Sequence, residues 1–293
     1  MWMTMIGVVD VGGGMRGIYG AGIFDRCLDE SIDFDYAIGV SSGSANIASY
    51  VSGQRGRNYT FYTEYAERKE YMSFHNFLKT GNYLNLDYIY GTLSKRGGEN
   101  PLDYSHMLAS GKTMKIVTTD ADTGKPVYYD LRDMAHDDYG ALKCSSCVPM
   151  AAKAYRWKGK EFYDGALSDP IPVQKAFDAG CDRVVLILTR PKDFFRSPKD
   201  RIPARALRFK YPVISKAIKD RTELYNRQLA RCLELEKEGS LLIVAPSDIE
   251  TMKTFSRDEG QLNELYEMGY KDAAAIKPFL EGASAKDTEP ALG

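Results

Sequence analysis

The chain has 293 residues, 44% of them hydrophobic and 27% charged, with 39 Lys and Arg against 40 Asp and Glu for a formal net charge of −1. This is a soluble globular composition with enough residues for one large core, and the balanced charge excludes wholesale electrostatic attraction to nucleic acid or membrane, so an anionic partner has to be met by a local patch. Five cysteines, at positions 27, 144, 147, 181 and 232, do not form the framework of a disulfide-dense domain and read as reduced thiols.

The first residues carry no basic segment ahead of an apolar one, so no signal peptide is expected. No run reaches the eighteen apolar residues of a membrane span, and the expected location is cytoplasmic. In chain order, residues 5–9 read as a strand, 19–28 as a helix, 36–40 as a second strand and 42–51 as a small-residue helix. Further strands are expected at 115–118, 127–129, 184–188 and 241–245, with a hairpin over 155–163. Helical patterns at 173–179, 204–218, 221–238 and 261–280 separate several of them. Strands alternating with helices predict an α/β fold, three-layer α/β/α, with a central, mostly parallel sheet covered on both faces. No repeat or Pro/Gly-rich linker divides the chain, so residues 1–282 read as one domain and the small, polar residues 283–293 as a flexible tail.

Two glycine motifs stand at strand ends. Gly39-Val40-Ser41-Ser42-Gly43 is a G-x-S-x-G that follows an apolar strand and opens a helix, the context in which such a serine becomes an exposed nucleophile. Glycines two before and two after the serine let strand and helix approach without a Cβ clash. Gly12-Gly13-Gly14-Met15-Arg16-Gly17 follows the first strand, and two functions compete for it. Gly12, Gly14 and Gly17 satisfy the dinucleotide pattern G-x-G-x-x-G, but that pattern needs an acid at the far end of the second strand, and Asp33 and Asp35 precede that strand. Successive backbone N–H groups beside Ser41 fit an oxyanion hole better, with Arg16 adding charge or orienting the loop; a purely structural turn is the plain alternative, and no single glycine is singled out as donor.

A serine nucleophile needs a base. The only three histidines, His75, His106 and His136, all lie before the C-terminal half, whereas an α/β-hydrolase triad places its histidine last. A carboxylate is the other option, and Asp164, in Tyr163-Asp164-Gly165-Ala166 at the end of an expected strand, is the candidate; Gly165 lets another backbone come close.

In this order, the Gly12–Gly17 loop, the Ser41 motif and Asp164-Gly165-Ala166 resemble the patatin-like phospholipase family, over at least residues 5–190. Ser145-Ser146-Cys147-Val148-Pro149 is similar to the segment before the Asp-Gly hairpin of that family, and residues 71–90 are similar to its bacterial branch. The resemblance implies a Ser-Asp dyad, with Ser41 the nucleophile, Asp164 its proton acceptor and the Gly12–Gly17 loop the oxyanion hole. It also implies a lipid or fatty acyl ester substrate hydrolysed through an acyl-enzyme, with no metal or cofactor. Cys144 and Cys147 stand where many relatives have alanine or serine; their C-x-x-C lacks the second ligand pair of a zinc site and reads as helix packing. An ordinary carboxylate is a weak base for a hydroxyl, so shielding from water has to raise its proton affinity.

Two stretches bear on substrate choice. Residues 59–90 are rich in Tyr and Phe and are expected to cap the site and line an acyl channel, with core packing the duller reading. Residues 192–210 carry Lys192, Arg196, Lys199, Arg201, Arg205, Arg208 and Lys210 among aromatic side chains, a pattern for peripheral contact with an anionic lipid surface or for a solvated face. A nucleotide-binding protein and a catalytically idle binding module are the rival functions; a nucleic-acid partner is not expected.

Overall fold

A computed structural model of the chain describes residues 4–197, 201–249 and 252–286. The first four elements are β1 (Ile6–Asp10), α1 (Ile18–Asp29), β2 (Tyr36–Val40) and α2 (Ser42–Val51). Three short helices follow, α3 (Arg57–Thr63), α4 (Phe74–Thr80) and α5 (Tyr104–Ala109), with a π-helical turn at Tyr88–Leu93 between the last two. The middle of the chain supplies β3 (Thr113–Asp120), β4 (Pro126–Asp130), α6 (Gly140–Ser145), β5 (Tyr155–Trp157), β6 (Lys160–Asp164), α7 (Val173–Asp178) and β7 (Arg183–Ile187). The last third holds α8 (Arg201–Leu207), α9 (Pro212–Glu238), β8 (Leu241–Val244), α10 (Glu259–Asp272) and α11 (Ile276–Lys286).

The strands form one mixed sheet of eight, with hydrogen-bonded neighbours in the path β5-β6-β3-β2-β1-β7-β8 and β4 added to β3. The β3-β2-β1-β7-β8 pairs are parallel, and β4, β5 and β6 pair antiparallel. Because side chains alternate along a strand, the apolar runs serve both faces. Val8, Ile116, Val185 and Ile187 point into a core shared with α1 and α2, whereas Val9, Ile38, Leu186 and Ile243 point into a second core with α7 and α9. Each such fully buried Val, Leu or Ile contributes about 1.5–3 kcal/mol.

One consequence of register places the site. Val117 of β3 pairs with both Val40 of β2 and Tyr128 of β4, while Thr118 pairs with both Val127 of β4 and Asp164 of β6. A residue has one partner on each edge, so β2 and β6 share the edge opposite β4. They lie end to end along β3, and the end of β2 meets the end of β6 where β3 passes from Val117 to Thr118.

Two expected helices have different ends. The break expected between 218 and 221 is absent: α9 runs unbroken through Asp220, an exposed residue paired with Lys216 one turn earlier. The real break lies ahead of Pro212, whose fixed φ and missing N–H suit the first helical turn. Conversely, the helix expected over 261–280 is divided by a 3₁₀ turn at Ala273–Ala275, since Pro278 cannot donate to the carbonyl four residues earlier. α11 continues to Lys286, so the first four residues of the tail expected over 283–293 are helical; residues 287–293 and 1–3 lie outside the described residues.

Candidate active site

β2 delivers the chain to Ser41, which turns with φ 56° and ψ −131° before α2 begins. A positive φ at a non-glycine residue is strained, and such strain persists only where surroundings over-determine it. Here the Ser41 N–H donates to Ser145 Oγ at 2.9 Å, Ser145 Oγ also contacts Ser44 Oγ at 3.0 Å, and the Ser41 carbonyl accepts from Ser44 N–H at 3.0 Å. The turn after β1 packs backbone to backbone on this elbow. A Cβ at Gly12 (φ 62°) would lie 2.3 Å from the Val40 carbonyl, and one at Gly43 would lie 2.3 Å from the Asp10 carbonyl, so both positions admit only glycine.

The loop after β1 is held from beneath by Asp10, fully buried at the end of that strand. Its carboxylate accepts from Gly12 N–H at 2.8 Å and from Asn46 Nδ2 at 2.9 Å, and Asn46 Nδ2 also donates to the Gly17 carbonyl. Burial raises the Asp10 carboxyl to about 6 against these hydrogen bonds. Gly13 N–H donates to Ser42 Oγ at 3.0 Å, and Met15 N–H to the Thr254 carbonyl at 2.8 Å. Among the described residues no acceptor engages Gly14 N–H, and Gly14 lies on the cavity wall with Ser41.

Asp164, at the end of β6, is 3% exposed. Its backbone N–H donates to the Cys147 carbonyl at 3.0 Å, its own carbonyl accepts from Thr119 Oγ1 at 2.8 Å, and its Oδ1 accepts from Ala166 N–H at 2.8 Å. A Cβ on Gly165 would come within 2.4 Å of the Val117 carbonyl, the close backbone approach expected there. Ser41 and Asp164 share the wall of one cavity, where the Ser41 hydroxyl favours the charged form of the carboxylate. Burial raises that carboxyl to about 6, and the Ser41 hydroxyl, the hydrogen bond from Ala166 and the charges of Arg221 and Arg196 oppose the rise.

A family model described as patatin-like phospholipase matches residues 11–177, more than half of the chain. The chain belongs to the patatin-like phospholipase family. A second model, a domain of unknown function (DUF6363), matches residues 211–281. Among curated proteins the chain is similar to uncharacterized protein YjjU of Escherichia coli (strain K12), 26% identical over 199 residues that make up 66% of this chain and 54% of YjjU. The match thus spans about half the length of that relative. Among solved structures it is similar to VipD from Legionella pneumophila, with a TM-score of 0.48 and 14% identity over 94% of this chain and 67% of that one.

In this patatin-like chain two cavities meet at Ser41, sharing Gly14, Ser41, Val148 and Phe255 in their walls. The narrower, about 80 Å³, is mostly apolar, lined by Ala45, Phe61, Tyr71, Leu86, Ile89 and Tyr90 among others. Part of the aromatic 59–90 stretch therefore lines a channel. The rest packs elsewhere: Tyr59 sits edge-on to Tyr266, while Phe74 stacks on Phe77 on the outer face of α4. The wider cavity, about 470 Å³, contains Asp164 together with Arg16, Arg190, Arg196 and Arg221.

His75, His106 and His136 are exposed, and none lines either cavity. All five cysteines are buried and free; Cys144 packs in the core from α6, and Cys147 hydrogen-bonds the Lys153 carbonyl through Sγ while its carbonyl holds Asp164. Within the basic stretch, Lys192 pairs with Glu236, Arg196 lies 4.2 Å over the Tyr225 ring and Arg208 lies 4.3 Å over Phe209; the side chains of Lys199 and Arg201 lie outside the described residues. Sequence reasoning missed Asp10, Asn46, Ser145 and Thr254, which position the motifs. Asp10 alone carries a local signal, a carboxylate closing an apolar strand just ahead of three glycines.

Proposed function

We propose that the protein is a serine lipid acyl hydrolase that cleaves carboxylic esters of lipids through a Ser41–Asp164 dyad and an acyl-enzyme. The observation that carries this reading is that register brings Ser41, on a strained strand-to-helix elbow, and the buried Asp164 carboxylate to one cavity wall, at the junction of an apolar and a cationic cavity. Ser41 Oγ attacks the ester carbonyl carbon as its proton passes to Asp164. The oxyanion is stabilised by Gly14 N–H and by the N-terminal end of α2, where the helix dipole favours negative charge. Collapse breaks the bond to the alcohol, which leaves with the proton from Asp164. Water then gives its proton to Asp164 and attacks the acyl-serine; collapse breaks the bond to Ser41 Oγ, which takes that proton back from Asp164 as the acid is released. Gly12, Gly13 and Gly17 shape the loop, and a single oxyanion donor is worth about 3 kcal/mol.

The apolar cavity, walled by aromatic and aliphatic side chains, suits part of an acyl chain. Peripheral contact with a lipid surface is supported by α4, which buries none of its residues and leaves Phe74 66% and Leu78 71% exposed. Among the described residues no helix is long and apolar enough to cross a membrane. A dinucleotide in the glycine loop is disfavoured because Asp35 accepts the Ile6 N–H at the opposite end of the sheet from Ser41. The test is labelling with a fluorophosphonate probe alongside hydrolysis of a medium-chain p-nitrophenyl ester. Labelling at Ser41, and loss of turnover in Ser41→Ala and Asp164→Asn, are expected; full turnover in either purified variant removes that residue from the dyad.

A further inference from the structure

The wider cavity brings together four cations from three distant parts of the chain. Arg16 comes from the glycine loop, Arg190 and Arg196 from the segment after β7, and Arg221 from α9. Asp164 is the single acidic side chain lining it among the described residues. Arg16 is 6% exposed; one of its N–H groups donates to Thr254 Oγ1 at 3.0 Å, and its Nε has no partner. Among the described residues no carboxylate lies within ion-pairing distance of Arg16 or Arg190. Burial, then the facing charges of Arg190 and Arg196, pushes the Arg16 guanidinium down to about 9. A buried cation without a counter-charge is costly, and an incoming anion offsets that cost.

The walls also say what kind of anion fits. A zwitterionic headgroup needs a carboxylate or a free aromatic face for its ammonium group. Two of the three aromatic rings lining it already carry guanidinium groups, Arg190 4.3 Å over Phe194 and Arg196 4.2 Å over Tyr225, and the third, Phe255, packs edge-on with Tyr83 at the junction with the apolar cavity. Resting on the hydrolase reading above, we infer that this cavity is a subsite for a dianionic phosphate monoester on the alcohol side of the ester, and that it selects phosphatidate-type substrates over zwitterionic phospholipids. Planar, multiply donating guanidinium groups match the three oxygens of a terminal phosphate. The loop that carries Arg196 is tied to α9 by reciprocal hydrogen bonds between its backbone and Asn226, so that part of the cavity wall is held before a ligand arrives.

The test uses the full chain at pH 8, where the monoester is a dianion. Dihexanoyl phosphatidate and dihexanoyl phosphatidylcholine are compared as monomers below their aggregation concentrations, so that no lipid surface contributes. A kcat/KM at least tenfold higher for the phosphatidate is expected, with most of that ratio lost in Arg190→Gln and part of it kept in Arg190→Lys. The same comparison with lysophosphatidate and lysophosphatidylcholine assigns the monoester to a two-chain or a one-chain lipid. Binding of inorganic phosphate, followed by calorimetry, is expected in the unsubstituted protein and weakened in Arg190→Gln. A ratio near one in the unsubstituted protein, or no phosphate binding by it, overturns the subsite. If instead phosphate binds and no ester is hydrolysed, the hydrolase reading fails and the subsite stands.

Discussion

Replacing Asp164 by asparagine probes the proposed base and the cost of burying it in one experiment. Burial holds this carboxyl at about 6 rather than 3.8. Because the folded value lies above the unfolded one, the folded state keeps the proton more tightly. Its contribution to stability is complete below about pH 3.8 and is lost as the pH rises towards 6, leaving the folded state about 3 kcal/mol worse off at pH 7 and about 1 kcal/mol at pH 4.5. Asparagine keeps the shape: its Oδ1 can accept from Ala166 N–H and its amide can donate to Ser41 Oγ, with no charge to bury. Asp164→Asn is therefore expected to lose turnover yet to resist urea by about 3 kcal/mol more than the parent at pH 7, with the gain shrinking to about 1 kcal/mol at pH 4.5. Asp10, also held near 6, is present in both proteins and cancels from the difference. In the parent, kcat/KM rises with pH to a plateau with its midpoint near 6, because the base must be ionised. A variant less stable than the parent at pH 7, or a gain that does not shrink on acidification, refutes the buried-carboxylate argument; a flat profile between pH 5 and 7 refutes the base.

Asp10→Asn turns an amide donor towards Asn46 Nδ2, so at least a tenfold fall in kcat is expected from displacement of the glycine loop, with a smaller stability gain at pH 7 than in Asp164→Asn, measured by the same titrations. Changing His75, His106 and His136 together to alanine is expected to leave kcat/KM within about twofold, because all three are exposed and outside both cavities. Phe74→Asp with Leu78→Asp is expected to reduce sedimentation with anionic liposomes severalfold while hydrolysis of a soluble ester persists; unchanged sedimentation removes α4 as the contact.

The candidate site was more legible in the sequence than its surroundings. Residues 36–51 announce both the β2–α2 elbow and its serine, because glycine spacing, strand and helix all constrain the same few positions. Asp164 could be read because a strand end and an Asp-Gly turn coincide there. Helices α3 to α6 escaped, being six or seven residues long and held by tertiary contacts rather than by an apolar period. The convergence of Arg16, Arg190, Arg196 and Arg221 has no local signature at all; parallel strands carry distant segments to the same end of the sheet, and only the folded chain reveals which cations meet.

The placement of β2 and β6 against one edge of β3, their C-terminal ends meeting, makes that strand a ruler. The spacing of Val117 and Thr118 sets the gap between hydroxyl and carboxyl, while Ser145 and Cys147, from the excursion over 121–159, pin the Ser41 and Asp164 backbones at its two sides. The segment over 52–112 is free to lengthen or shorten and reshape the apolar cavity without moving the two groups, whereas a slip of one position in either pairing shifts them by roughly 3.3 Å and separates them.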